Sequence, residues 1–186
     1  EDDASIRLGA REICTNLALL MRVRAENPKA IVLFKPHPDV EAGLRPGAIP
    51  EAEALRFANQ ILHKSNPMAL IAAVDEVWTM TSLLGFEALL RGKNVTVTGA
   101  PFYAGWGLTR DLGAVPDRRK ARPSLEQLVH AALIAYPRYV DPVTRRPCPP
   151  EPLPAVWPRF PTGAVREDGG QRGGCHQPGS GGFGRA

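Results

Sequence analysis

Helical and strand-like segments alternate along this chain, and their order predicts an α/β fold with a Rossmann-like parallel sheet and flanking helices. From the N-terminus the order is helix, strand, helix, strand, helix, strand, helix, which is typical of a parallel sheet covered by helices. A short apolar run at residues 30–34, bounded by prolines, has the character of a buried parallel strand. About three strands are recognisable, so we expect the sheet to be incomplete by itself.

The first half of the chain contains two predicted helices on either side of this strand. Apolar residues recur at three-to-four spacing over residues 7–24, which predicts one amphipathic helix. Residues 50–63 are predicted as a second helix, because proline is favoured at a first helical position and apolar residues follow at helical spacing. The two prolines of residues 35–39 (KPHPD) prevent both a helix and a strand from continuing. This segment is therefore expected to be a rigid loop at the carboxyl end of the strand.

The second half alternates helices and strands at closer spacing. The predicted elements are a helical turn, a strand, a helix, a strand and a final helix, at residues 68–73, 75–80, 83–91, 94–98 and 124–135. Thr81 and Ser82 are suited to capping the first long helix of this half, and Gly92 closes it. Ser124 and Gln127 have capping-box spacing at the start of the final helix.

Length and composition indicate one folded domain with a less ordered end. With 186 residues, of which 44% are apolar, the chain can bury one core of ordinary size. We predict the folded domain over residues 1–157 and a disordered glycine- and proline-rich tail over residues 158–186. Because the chain starts without an initiator methionine, we expect it to be a piece of a longer polypeptide.

Several classes of protein are disfavoured. No apolar run is long enough to span a membrane and no secretory signal is present, which predicts a cytoplasmic protein. Three cysteines without C-x-x-C spacing argue against a disulfide framework and a zinc site. The net charge of +4 is spread along the chain, which disfavours nucleic-acid binding and suits a modest basic surface for an anionic ligand. No Walker loop or G-x-G-x-x-G motif supports a kinase, a GTPase or a dinucleotide enzyme.

Three segments fall at the carboxyl ends of predicted strands, where ligands of open α/β sheets bind. Lys35 and His37 lie on the proline-stiffened loop and are suited to meeting a phosphate. The hydroxyls of Thr81 and Ser82 lie at a helix N-terminus, which attracts anions. The third segment is an aromatic loop at residues 101–107 (PFYAGWG), suited to packing over a base or a sugar.

Each of these segments also has a purely structural interpretation. His37 would then be a hydrogen-bonded structural residue, Ser82 a plain helix cap, and the aromatic loop a seal at a domain edge. Glu87, in the helix after Ser82, is either a ligand of ribose hydroxyls or a solvated helix residue. No two carboxylates have the spacing of an acid/base pair, and the histidines do not have the spacing of metal ligands. Catalytic residues therefore stay unassigned.

Several long motifs closely resemble the capsular polysaccharide biosynthesis family of KpsC-type transferases. They occur in order within roughly residues 1–155, at residues 2–6, 34–40, 75–92, 101–109 and 136–142. The resemblance does not extend into the glycine-rich tail. It implies the C-terminal, donor-binding half of a GT-B-like glycosyltransferase, in which two Rossmann-like domains face a cleft.

The resemblance implies a β-Kdo transferase of capsule polysaccharide biosynthesis and export-linked assembly, with CMP-Kdo as donor substrate and no cofactor or metal. The acceptor would be a glycolipid at the inner membrane that carries the capsule linker, with the protein cytoplasmic or peripheral there. His37 and Ser82, with Thr81 beside it, would contact the CMP phosphate. Lys35 and Glu87 are further candidates for phosphate and ribose contact.

Two departures from the family pattern limit which functional roles can be transferred from the family to this chain. Position 78 is Trp where the pattern has His, so a ligand contact from that position is not assigned. A retaining transferase of this family is expected to take its carboxylate nucleophile from the N-terminal domain of the parent enzyme, so this chain should bind donor without completing transfer. The alternatives are a non-catalytic remnant or interaction module that keeps only the fold, and another GT-B enzyme such as a sialyl- or hexosyltransferase.

Overall fold

The computed structural model describes residues 3–150, and it confirms the predicted mixed α/β class with parallel strands. The helices of this part are α1 Ala4–Gly9, α2 Asn16–Glu26, α3 Pro38–Glu41, α4 Glu51–Ala54, α5 Pro67–Ala73, α6 Leu83–Leu89 and α7 Leu125–His130. A π-helical segment, Ala131–Ala135, follows α7. The strands are β1 Leu33–Phe34, β2 Gln60–Ile61, β3 Glu76–Thr79, β4 Asn94–Val97 and β5 Arg110–Asp111. The predicted tail at residues 158–186 lies outside the described residues.

The strands form two parallel sheets. In the smaller sheet β1 pairs with β2, and Leu33 lies opposite Gln60. In the larger sheet the order is β3-β4-β5, with Val77 opposite Val95 and Thr96 opposite Arg110. Because neighbouring strands run in the same direction, their carboxyl ends lie at the same edge of each sheet, where ligands of this architecture bind.

The larger sheet carries the main hydrophobic core. Helices α5, α6 and α7, strand β4 and the loop after β4 contribute its buried residues, which are Ile71, Phe86, Ala88, Leu89, Val95, Val97, Tyr103, Ala104 and Leu128. A smaller cluster lies beside β1 and β2 and consists of Leu20, Val32, Ala54 and Ala58. The core that supports the end of β3 is therefore the more extensive of the two.

The N-terminal segment forms two helices, so the prediction of one helix over residues 7–24 was wrong. The main-chain N–H of Ala10 bonds to the oxygen of Ile6 at 2.8 Å and ends α1. The hydroxyl of Thr15 accepts a hydrogen bond from the N–H of Ala18 and begins α2. A capping side chain in the middle of the apolar pattern thus starts a new helix.

The predicted helix over residues 50–63 was also wrong beyond its first turn. Only Glu51–Ala54 is α-helical, and Gln60–Ile61 is strand β2. Asn59 accounts for the difference, because its Oδ1 accepts the N–H of Val32 and its own N–H donates to the oxygen of Val32, both at 2.8 Å. These two bonds join the segment to β1 at the start of a parallel pair.

The loop predicted at residues 35–39 is interrupted by a short helix. Helix α3 begins at Pro38, a first helical position that proline favours, and His37 is its N-cap. The segments 68–73, 75–80, 83–91 and 94–98 have their predicted types, in α5, β3, α6 and β4. The capping box of Ser124 and Gln127 is confirmed at the start of α7.

Within the described residues, those from Arg138 to Pro150 belong to a second compact unit. In its described part an antiparallel bridge joins Val140 and Pro147. The carboxylate of Asp141 accepts the N–H of Val143 at 2.8 Å inside the turn, and this bond is the main cause that lowers the pKa of Asp141. Across residues 3–150, no helix combines the length and the apolar character needed to cross a bilayer.

Candidate functional site

The carboxyl ends of three strands carry the segments that the sequence singled out. His37 follows β1, Thr81 and Ser82 follow β3, and the aromatic loop at residues 101–107 follows β4. Ligands of open α/β sheets bind outside such strand ends. The geometry around each segment decides which chemical groups are available there.

His37 uses one ring nitrogen to cap a helix and keeps an exposed side chain. Its Nδ1 accepts the main-chain N–H of Asp39 at 3.2 Å and so caps α3. An accepting Nδ1 places the proton of the neutral imidazole on Nε2. With 55% of the side chain exposed, the Nε2–H group is accessible as a donor to an anionic oxygen.

Lys35 lies in a polar cluster just before this cap. Its ammonium Nζ lies 2.9 Å from Glu41 Oε2 and donates to the oxygen of Pro36 at 3.1 Å. The other carboxylate oxygen of Glu41 lies 3.0 Å from His63 Nδ1. Only 14% of the Lys35 side chain is exposed, so a phosphate would compete with Glu41 for this ammonium.

Ser82 and Thr81 place two hydroxyls at the end of β3. Ser82 Oγ accepts the N–H of Leu84 at 3.2 Å, and the exposed hydroxyl keeps its own proton for a further bond. Thr81 Oγ1 lies 3.1 Å from Ser5 Oγ on α1. Glu87 lies in the second turn of α6 with its side chain half-buried.

A series of polar contacts joins the start of α3 to the end of β3. Asp39 Oδ2 lies 3.1 Å from Arg45 Nε, and Arg45 Nη1 lies 3.0 Å from Asp3 Oδ2. Asp3 Oδ1 accepts the N–H of Ser5 at 2.7 Å, and hydrogen bonding to Ser5 is the main cause that lowers the pKa of Asp3. Through the contact of Ser5 with Thr81, the helix α1 connects two of the predicted segments.

The sequence analysis gave no role to Asp3, Ser5 or Arg45. Asp3 and Ser5 lie in a motif of the family resemblance, residues 2–6, and Asp3 is the N-cap of α1. Their partners are distant in sequence, because Arg45 is 42 residues from Asp3 and Thr81 is 76 residues from Ser5. No local spacing signals such contacts.

A cavity of about 560 Å³ opens beside Thr81. Its wall consists mainly of apolar groups, and the side chains with polar atoms are those of Ser5, Thr81, Tyr103, Arg118 and Arg119. Apolar side chains on its rim include Leu8, Leu83 and Phe102. A mostly apolar wall with few polar groups is the lining that small-molecule sites have, and this cavity is open to solvent.

Of the side chains of the aromatic loop, one lies in the core and another lines this cavity. Tyr103 is fully buried, whereas Phe102 keeps 42% of its surface exposed and lines the cavity. Arg119 Nη1 donates to the oxygens of Pro101 and Ala104, at 2.5 and 2.8 Å. The structural interpretation therefore fits Tyr103, while Phe102 is the member of the loop that is open to a ligand.

Trp78 of β3 contacts an arginine of β5. The guanidinium of Arg110 lies 5.6 Å from the centre of the Trp78 ring. Arg110 Nη2 also lies 2.6 Å from Glu26 Oε2 at the end of α2. The ion pair links the end of α2 to β5, and the cation–π contact links Arg110 to Trp78 within the larger sheet.

The family model described as capsule polysaccharide biosynthesis protein matches residues 1–139. This chain belongs to the capsule polysaccharide biosynthesis protein family. It is 52% identical over 146 residues to the capsule polysaccharide modification protein LipA of Neisseria meningitidis serogroup A, and this stretch covers 78% of the chain and 21% of LipA. It is 47% identical over 139 residues to the lipopolysaccharide-processing protein LpsZ of Rhizobium meliloti, covering 75% of the chain and 31% of LpsZ.

Two solved structures from Thermosulfurimonas dismutans share the fold. The β-Kdo 2,7 transferase of KpsC superposes with a TM-score of 0.72 at 43% identity, covering 84% of this chain and 48% of that one. The β-Kdo 2,4 transferase of KpsC gives a TM-score of 0.67 at 37% identity, covering 81% and 46%. The chain therefore spans about a fifth to a third of the curated relatives named above and about half of each solved chain.

Proposed function

We propose that this chain is the donor-binding part of a GT-B β-Kdo transferase of capsule polysaccharide biosynthesis, and that it holds CMP-Kdo at the carboxyl ends of β1 and β3. The observation that carries the proposal is the exposed side chain of His37, whose Nδ1 caps α3 on a turn that Asp39, Arg45 and Asp3 connect to α1. The similarity to two Kdo transferases of known structure supports the choice of donor.

In this proposal the phosphate of CMP receives hydrogen bonds from His37 and Ser82, with Thr81 beside them. Both side chains already accept a main-chain N–H as helix caps, so little further ordering is needed when the ligand binds. Donors placed at the phosphate favour departure of CMP, because they offset the charge that develops on the leaving group. Lys35 and Glu87 are assigned secondary contacts with the phosphate and the ribose.

The transfer itself requires parts beyond this chain. The carboxylate nucleophile is assigned to the N-terminal domain of the parent enzyme, which closes the cleft over the donor. The acceptor is assigned as a glycolipid at the inner membrane, where the parent acts in capsule assembly as a cytoplasmic or peripheral protein. Accordingly, we expect this chain to bind donor nucleotide and to have no transferase activity of its own.

Calorimetric titration of the full chain with CMP, with UDP as the competing nucleotide class, tests the proposal. We expect saturable CMP binding and weaker UDP binding. His37→Ala should weaken CMP binding roughly tenfold, as expected for the loss of a hydrogen bond to a charged group. His37→Ser retains an oxygen that can cap α3 and should show the same loss.

His130→Ala is the matched control, because His130 is an exposed histidine at the end of α7 that does not line the cavity. Its CMP affinity should equal that of the wild type. A folded chain that binds neither nucleotide would overturn the proposal in favour of a remnant or interaction module. Preference for UDP would instead indicate a hexosyltransferase.

A further inference from the structure

The two arginines that line the cavity beside Thr81 differ in their contacts. Arg119 donates to two main-chain oxygens of the aromatic loop, and its guanidinium lies 5.7 Å from the centre of the Trp106 ring. Arg118 is exposed, and within residues 3–150 its side chain has neither a hydrogen bond nor an ion pair. A guanidinium is a cation, so Arg118 offers the cavity a positive charge that forms no ion pair within the described residues.

The neighbouring charges make this position suited to an anion. Burial is the main cause that lowers the pKa of Arg119, and the nearby positive charge of Arg118 lowers it further. The negative charge of Asp111 raises this pKa. Asp111 is itself hydrogen-bonded to Thr109 and to the main chain of Gly105. An anion beside Arg118 would therefore relieve repulsion between two adjacent guanidinium groups.

The rest of the cavity is suited to the ring of a ligand. Leu8, Leu83 and Phe102 on its rim keep 83%, 58% and 42% of their surfaces exposed, and a ring packed on them would remove apolar surface from water. The hydroxyls of Ser5 and Thr81 are neighbours in the wall and can bond to ligand hydroxyls. The combination of a cation, two hydroxyls and an apolar rim fits an acidic, hydroxylated ring compound.

We propose that this cavity binds an anionic group of the donor and that Arg118 is a specificity-determining residue that pairs with this oxyanion. The proposal rests on the proposed function, because Thr81 in the cavity wall directly precedes Ser82, the assigned phosphate contact. The oxyanion is either the carboxylate of the sugar or the phosphate of the nucleotide. Both match the two parallel N–H groups of a guanidinium.

The test compares CMP with CMP-Kdo as ligands of the full chain, by calorimetric titration. CMP carries the phosphate alone, whereas CMP-Kdo also carries the sugar carboxylate. The test variant is Arg118→Gln, and Arg118→Lys keeps the charge but loses the planar pair of donors. Lys120→Gln is the matched control, since it removes the same charge from an exposed residue two positions away that does not line the cavity.

We expect Arg118→Gln to weaken CMP-Kdo binding roughly tenfold or more, and Lys120→Gln to change it less than about twofold. If CMP binding by Arg118→Gln stays normal, the paired group is the sugar carboxylate. If CMP and CMP-Kdo are weakened equally, the group is the phosphate. The unfolding temperature of Arg118→Gln should match the wild type, because the side chain has no partner to lose within the described residues.

Two results would overturn this inference without affecting the proposed function. The first is wild-type affinity of Arg118→Gln for both ligands. The second is an equal loss of CMP-Kdo affinity in Lys120→Gln, which would indicate a general effect of surface charge. In either case CMP binding by the wild type would leave the proposed function standing. A wild-type chain that binds neither CMP nor CMP-Kdo would overturn the proposed function and this inference together.

Discussion

The buried hydroxyl of Tyr103 donates a hydrogen bond to the main-chain oxygen of Ser82, with 2.5 Å between the two oxygens. Tyr103 has no exposed surface, and its burial raises the pKa of the phenol, which keeps the donor protonated. Gly85 makes this approach possible, because a Cβ at that position would lie 2.3 Å from the Tyr103 hydroxyl oxygen. The core of the larger sheet thus fixes the backbone of a candidate ligand-binding residue at its edge.

Gly85→Ala should destabilise the chain by about 1–3 kcal/mol, as expected for overpacking. In an ordinary helix interior the same change is favourable by about 0.5–1 kcal/mol, so the expected sign is the reverse of the usual one. The measurement is the free energy of unfolding from urea titration. In a Tyr103→Phe background the nearest clashing atom is absent, so the cost of Gly85→Ala should fall. Equal costs in both backgrounds would contradict the proposed clash.

Arg119 should contribute to stability through the aromatic loop, in contrast to its neighbour Arg118. Arg119→Met keeps much of the apolar stem but leaves the oxygens of Pro101 and Ala104 without their donor. We expect a loss of about 1–3 kcal/mol in the free energy of unfolding.

Arg118→Met is the control for this prediction, because it removes the same group from a side chain without a partner in residues 3–150. Its free energy of unfolding should stay within about 0.5 kcal/mol of the wild type. Both variants are compared by urea unfolding followed by circular dichroism. Equal effects of the two substitutions would show that the carbonyl contacts of Arg119 do not contribute to stability.

Glu41 should make stability depend on pH in the acid range. The hydrogen bond from Lys35 is the main cause that holds the pKa of Glu41 below its ordinary value of 4.5, and the bond to His63 adds to it. Because the folded pKa is the lower one, this contribution is complete above pH 4.5 and is lost as pH falls through the folded pKa. Glu41→Gln removes the titrating group and therefore removes this dependence.

The measurement is the difference in unfolding free energy between wild type and Glu41→Gln at a series of pH values. The difference should be largest near neutral pH and shrink below pH 4.5. Glu12→Gln is the control, since Glu12 is exposed and makes no ion pair among the described residues. A constant difference for Glu41→Gln across this range would contradict the assigned pKa shift.

The elements that were predicted well are those with local signals. Residues 75–98 form a strand, a helix and a strand, and the helix has both a capping serine before it and a glycine with φ of 69° after it. The failures at residues 7–24 and 50–63 share a different cause. There a single side chain, Thr15 or Asn59, starts a new element in competition with the apolar pattern, and for Asn59 the partner is 27 residues away in sequence.

The amino-acid sequence was sufficient for the α/β class, the motifs of the capsule polysaccharide biosynthesis family and the positions of His37, Thr81 and Ser82 after strands, because each depends on residues close together in the chain. The contacts of Asp3 with Arg45 and of Ser5 with Thr81 follow only from the packing of α1 against the rest of the fold. The difference between the adjacent residues Arg118 and Arg119 also follows only from the tertiary structure. Their side chains are identical, and only the position of the aromatic loop gives Arg119 two carbonyl partners and leaves Arg118 open to a ligand.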